Sequence, residues 1–287
     1  MSEQEKKYSI YQSSLETNHI SVSEFLKFYN WAKQYSYTKV TLDLLSVNYI
    51  DANLSAVIIS LVHKLKIERK VWVYIEFSSS TISVFFRNGL MAHLQGKGND
   101  NDSYDNRQST IALTSFSPIE DEQFCSYLRN QFFAHRGLDD ISITVKNALK
   151  NHYTEVFTNV GLHANTSLPV FTCGQYFPEK KQLRFTLVDL GEGFLPKIYK
   201  ATNGRISDDK SAIIWATEGI NTTKDIAVFG PGGTGLKELK NYCNNNNGSF
   251  HICSGLGYVN MLNKRTIENN LRNPFPGSIV NIIMRNI

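Results

Sequence analysis

The chain is poor in the features that would place it quickly. Its 287 residues include only four cysteines, Cys125, Cys173, Cys243 and Cys253, which lie far apart with no C-x-x-C. That spacing excludes a zinc knuckle and a redox pair, and reduced thiols point to the cytoplasm. No apolar run approaches the ~20 residues that cross a bilayer, and the opening MSEQEKKYSIYQSS lacks an apolar core of signal-peptide length. A cytoplasmic protein with no membrane partner is therefore expected. Charge of one sign is also scarce: 30 Lys and Arg against 26 Asp and Glu leave a formal +4. The basic residues are scattered among carboxylates, so nucleic acid is not an expected partner. Neither internal repeats nor histidines at metal-ligand spacing are visible; His19, His63, His93, His135, His152 and His251 read as ordinary surface or core residues.

What is present is enough apolar material, 41% of the chain, for a sizeable core and two domains. Residues 95–109, QGKGNDNDSYDNRQS, contain almost no aliphatic side chains and are expected to form a linker or long mobile loop. Before it, the strand-like KVTLDLL and VWVYIEF flank DANLSAVIISLVHKLKIERK, whose apolar residues recur at helical spacing. Strand, helix and strand at this distance predict a crossover in a small α/β unit over residues 1–94. An earlier amphipathic helix is expected over residues 21–35, capped by Ser21 or Ser23. After the linker, residues 110–287 predict helices followed by a mixed, largely antiparallel sheet, an α/β sandwich.

AVFGPGGTGLKELK, residues 227–240, matches two phosphate-binding patterns superficially. A Walker A loop places Lys directly after its last Gly, but Leu236 stands there and Lys237 takes the hydroxyl position. A dinucleotide fold needs an acidic residue ~20 positions on and more sheet afterwards, and neither follows. Two other segments change the reading. In NHYTEVFTNVGLHAN, Glu155, Asn159 and His163 are four residues apart and share one side of a helix. An amide oxygen there is a hard ligand suited to magnesium, and a carboxylate one turn away can accept a proton. In LVDLGEGF, a strand ends at Asp189 and passes into two glycines, which lets a ligand approach the backbone. Such a carboxylate can accept a hydrogen bond from an exocyclic amino group.

In this order and spacing, residues 138–287 resemble the nucleotide site of the GHKL superfamily, the Bergerat-fold ATPases that include type II topoisomerase subunits, histidine kinases and anti-sigma-factor kinases. Glu155 and Asn159 match its E-x-x-x-N box, followed by His163 and Ala164. Asp189, Gly191 and Gly193 match D-x-G-x-G, and Gly230, Gly232, Gly233 and Gly235 match the second glycine box. The resemblance implies that Asp189 reads adenine, that Asn159 holds Mg2+ against the ATP phosphates, and that Glu155 orients or deprotonates the attacking group. It implies further nucleotide contacts from Thr234, Leu236 and, in the closing strands, Ser278, and a lid over about residues 200–235. Lys237 reads as a surface lysine near the phosphates.

The first half resembles the STAS-like domains of anti-sigma-factor antagonists, through VTLDLLSVNYIDANLSAVIISLVHKL with Asp51 at the acidic position. Those domains carry a phosphorylatable Ser next, where this chain has Ala52. The joint resemblance implies an anti-sigma-type serine/threonine protein kinase or regulatory ATPase with a STAS or sigma-like partner. An ATP-gated conformational switch is the alternative, and a homodimer is left open.

Overall fold

The computed structural model describes residues 6–99, 105–218 and 234–285. The chain is a mixed α/β protein. Its first half builds a parallel sheet from β1 (Lys7–Ser9), β3 (Thr38–Leu44) and β5 (Val71–Phe77), in the order β1-β3-β5. A short parallel pair, β2 (Ser14–Leu15) with β4 (Tyr49–Ile50), sits beside it. Helix α1 (His19–Ala32) begins before the expected serines: the side chain of Asn18 accepts from the amides of Ile20 and Ser21 and caps the helix.

Helix α2 (Leu54–Arg69) is buried on more than one side, with Leu54 to Val62 all shielded from solvent. A helix apolar all round belongs inside a structure, and α2 touches both β5 and the second sheet. Its sequence carries a full core helix where the periodicity suggested a simple amphipathic one.

After α3 (Ile82–Arg87) and α4 (Leu90–Leu94) the chain enters a five-stranded sheet. β6 (Thr110–Phe116), β7 (Val170–Phe177), β8 (Gln182–Asp189), β9 (Ser249–Leu262) and β10 (Arg265–Arg285) lie in the order β6-β7-β8-β10-β9, every neighbouring pair antiparallel. The described flanks of residues 95–109 are strapped down. The side-chain amide of Asn99 donates to the Ser115 carbonyl and accepts from the Ser115 amide, both at 2.8 Å, and Asp105 accepts from the amides of Ser109 and Thr110 at 2.7 Å.

The second sheet is covered on both faces. Helices α5 (Asp121–Tyr127), α6 (Ile143–His163) and α9 (Gly235–Asn245) pack one face around Phe124, Phe157, Phe185 and Val280. On the other face, Phe171, Cys173, Val188 and Ile279 share a single core with Leu42, Val57 and Phe85 of the first half. One apolar cluster thus spans the boundary at residues 95–109.

Candidate functional site

Helix α6 supplies the first wall. Ser142 caps its start by accepting from the Val145 amide, and Leu149, Tyr153, Val156, Phe157 and Val160 bury its apolar stripe. That anchoring fixes the polar line beside the stripe: Glu155, Asn159 and His163 follow at successive turns. Strand β8 supplies the second wall and ends at Asp189, which is 3% exposed. The Asp189 carboxylate accepts from the Gly191 amide at 2.9 Å and from the Ser278 hydroxyl. Burial pushes its pKa up, and these neutral donors offset that only in part.

Two glycines make the approach of these walls possible. A Cβ on Gly191 would lie 2.3 Å from the carbonyl oxygen of Ala164 at the end of α6, closer than any real contact. Gly193 has φ +77, and a Cβ there would meet the Ser254 hydroxyl at 2.4 Å. Both positions therefore require glycine for backbone reasons as well as any ligand's.

Asn159, His163, Asp189, Gly193, Leu236 and Ser278 line one cavity of about 130 Å3. Aliphatic side chains such as Val156, Ile198 and Val280 contribute further to its inner surface. The Oδ1 of Asn159 is buried with no hydrogen-bond partner among the described residues. A buried acceptor left in this way is costly unless something else satisfies it. Sequence reasoning missed Phe194, Lys197 and Trp215, which also line the cavity. Phe194 ends the LVDLGEGF segment at the start of α7 (Leu195–Ala201), Lys197 lies on α7, and Trp215 lies on α8 (Asp209–Ala216) within the expected lid, yet nothing in the spacing marks the three as lining residues.

Glu155 stands one turn away and outside the cavity lining. Its carboxylate accepts from the Thr234 amide at 3.0 Å and from the Thr234 hydroxyl at 3.3 Å, at the start of α9. Gly235 permits this, since its Cβ would crowd the Glu155 side chain at 3.1 Å and the His152 carbonyl at 3.0 Å. Leu236, at the lysine position of a Walker loop, is buried instead. Gly230, Gly232 and Gly233 lie outside the described residues, as does most of the second half of the expected lid.

The donor set fits a cation carried by its ligand. Among the described residues no cluster of three His, Cys, Asp or Glu side chains could hold a metal ion alone. Magnesium commonly keeps waters and substrate phosphates with only one or two protein ligands, and the orphaned Asn159 oxygen is of the right hardness. No helix of the described structure is long and apolar enough to cross a membrane. No protein-family model matches the sequence, and no curated protein is significantly similar to it.

Proposed function

We propose that the chain binds ATP with magnesium as a GHKL-type protein with a fused STAS-like unit, and acts as a serine/threonine protein kinase of the anti-sigma type. One observation carries this reading: Asp189, Ser278 and Asn159, the last with an unsatisfied side-chain oxygen, come from separate elements and line a single cavity. Asp189 receives the exocyclic amino group of adenine, helped by the neighbouring hydroxyl of Ser278. Asn159 offers its oxygen to the magnesium ion that accompanies the phosphates, and that ion supplies charge neutralisation when bound. Glu155, one turn from Asn159, is placed to orient the acceptor hydroxyl once its contact with Thr234 opens. The parallel sheet and the Asp51 loop before α2 support the STAS-like reading. Ala52 fills the usual acceptor position and is fully buried, so the phosphoacceptor lies on another protein.

The engagement of Glu155 by Thr234 favours a second reading, an ATP-gated switch that binds without transferring phosphate. Thermal shifts with ATP, ADP and GTP, each with and without magnesium, test the shared premise, because a ligand that binds only the folded state raises Tm. Adenine nucleotides stabilise the wild type, and Asp189→Asn loses that response. Equal responses to ATP and GTP, or none, refute the proposal. Labelled phosphate reaching a STAS or sigma-like partner, and lost in Glu155→Ala, separates the kinase from the switch.

A further inference from the structure

Strand β8 is read from both sides. Arg184, Thr186 and Val188 face the first half of the chain, whereas Phe185 and Leu187 face the helices and lead to Asp189. Strand β10 alternates likewise, with Ile279 and Asn281 on one face and Ser278 and Val280 at the cavity. In the ladder Ser278 stands opposite Asp189, and Asn281 stands opposite Thr186.

A side-chain chain crosses from the first half into this ladder. The Nδ2 of Asn53, just before α2, donates to the Thr186 hydroxyl at 2.8 Å, and that hydroxyl donates to Asn281 Oδ1 at 2.8 Å. All three residues are buried. Because a hydroxyl has a single proton, the bond from Asn53 occupies a lone pair and leaves that proton for Asn281. We propose that Asn53 is a positioning residue for the Asp189–Ser278 end of the cavity, fixing the Thr186–Asn281 clip that sets how β10 lies against β8.

Two observations favour this over simple packing. The pairing of β10 with β9 is irregular between Phe275 and Ser278, and the regular ladder with β8 begins only at Ser278, so Ser278 is the first residue of β10 that the clip three positions on can hold in register. The chain also leaves Asn53 Oδ1 and Asn281 Nδ2 buried without partners among the described residues, a cost that an apolar pair would avoid. Docking of the two halves does not depend on it. The Asp51–Arg184 ion pair at 2.6 Å and the Ala52 amide donating to Gln175 at 2.6 Å hold the interface independently.

The inference rests on the reading of Asp189 as the base-binding group, but its primary test needs no ligand. Carbon-13 NMR titration of the Asp189 carboxyl is compared in wild type, Asn53→Ala and Thr186→Val. The relay predicts that both variants raise the midpoint by about one pH unit, because a loosened Ser278 bond no longer favours the carboxylate. Gln175→Ala removes an interface bond outside the relay and leaves the midpoint unchanged. Should Asn53→Ala fail to fold, Thr186→Val has nearly the same volume and carries the test. Unchanged midpoints in both variants, or an equal rise in Gln175→Ala, overturn the proposal. Calorimetry with ADP and magnesium then separates the two ideas: the relay predicts about tenfold weaker binding in both variants, ~1.4 kcal/mol. A shifted midpoint with no ADP binding even by wild type leaves the relay standing and removes the nucleotide reading. Unshifted midpoints with tight ADP binding throughout do the reverse.

Discussion

The five-stranded sheet buries an aspartate on each face, and the two are treated in opposite ways. Asp51, fully buried against one face, accepts from the amide and hydroxyl of Thr17 at 2.7 and 2.9 Å, from Tyr49 at 2.8 Å, and from Arg184 at 2.6 Å. Its charge is matched and both its oxygens accept hydrogen bonds. Asp189, at the end of the other face, accepts from the neutral donors Gly191 and Ser278 among the described residues, and it borders a cavity. The helix-side core on that face is aromatic, with Phe124 stacked on Phe157 at 4.3 Å and Phe132 and Tyr153 packed on Phe185. A polar group that is fully partnered fixes structure. One held by neutral donors beside open space keeps capacity for a ligand.

The sharpest way to break the comparison is to remove the cation on the partnered face. Arg184 is nearly buried and lies over the Phe177 ring at 4.2 Å, so Arg184→Met retains much of its packing but strands the Asp51 carboxylate. Breaking one side of a buried pair typically costs ~3–5 kcal/mol, and urea unfolding should register a loss of that size. The double variant Asp51→Leu with Arg184→Met should recover most of it. A single-variant loss below ~1 kcal/mol would show that this face is not locked by charge pairing.

The opposite change at Asp189 sharpens the contrast. Its folded pKa lies above the ordinary 3.8, so between those values the native state holds more protons than the unfolded one. Stability therefore falls as pH rises through that window, and the penalty is complete above the folded pKa. Asp189→Asn removes it: the variant should match wild type near pH 3 and become the more stable of the two toward neutral pH, while losing the thermal response to adenine nucleotides. A variant that is less stable at pH 7 would mean that Asp189 is a structural anchor like Asp51.

The sequence displayed these two faces unequally. Helix α6 and the end of β8 were legible because a one-sided apolar stripe and a strand running into glycines have local signatures. The convergence of Asn159, Asp189 and Ser278 came only through resemblance, since nothing in the spacing brings residues 159 and 278 together. Strand β8 was misleading in a physical way. Gln182, Arg184 and Thr186 alternate with Leu183, Phe185 and Leu187, the pattern of a half-exposed strand, yet all eight residues of β8 are buried. The partner that makes burial of Arg184 tolerable, Asp51, is 133 residues away and has no local sign. Glu155 was legible as a polar residue on the right side of α6, but its contact with Thr234 was not. The helices that bring Lys197 and Trp215 to the cavity were equally silent about what they line.

The partnered face also contains a group that should resist a second positive charge, and this gives the smallest effect at neutral pH. His251 stands opposite Asn281 in the ladder, with Nδ1 3.0 Å from the Tyr258 hydroxyl and Nε2 3.1 Å from the Ser249 hydroxyl. Burial, with the Arg184 charge adding to it, brings its pKa down from 6.5 to about 3. Below 6.5 the unfolded chain takes up a proton that the folded chain refuses, so the stability that His251 contributes is present above 6.5 and drains away as pH falls toward 3. His251→Gln keeps a donor and an acceptor for the two hydroxyls but cannot titrate. It should cost only ~1 kcal/mol at pH 7 and should flatten the decline of stability between pH 6.5 and 3 measured by urea unfolding. If the wild-type and variant curves stay parallel across that range, His251 is accessible to protons in the native state, and the face that Arg184 and Asp51 close is open to solvent.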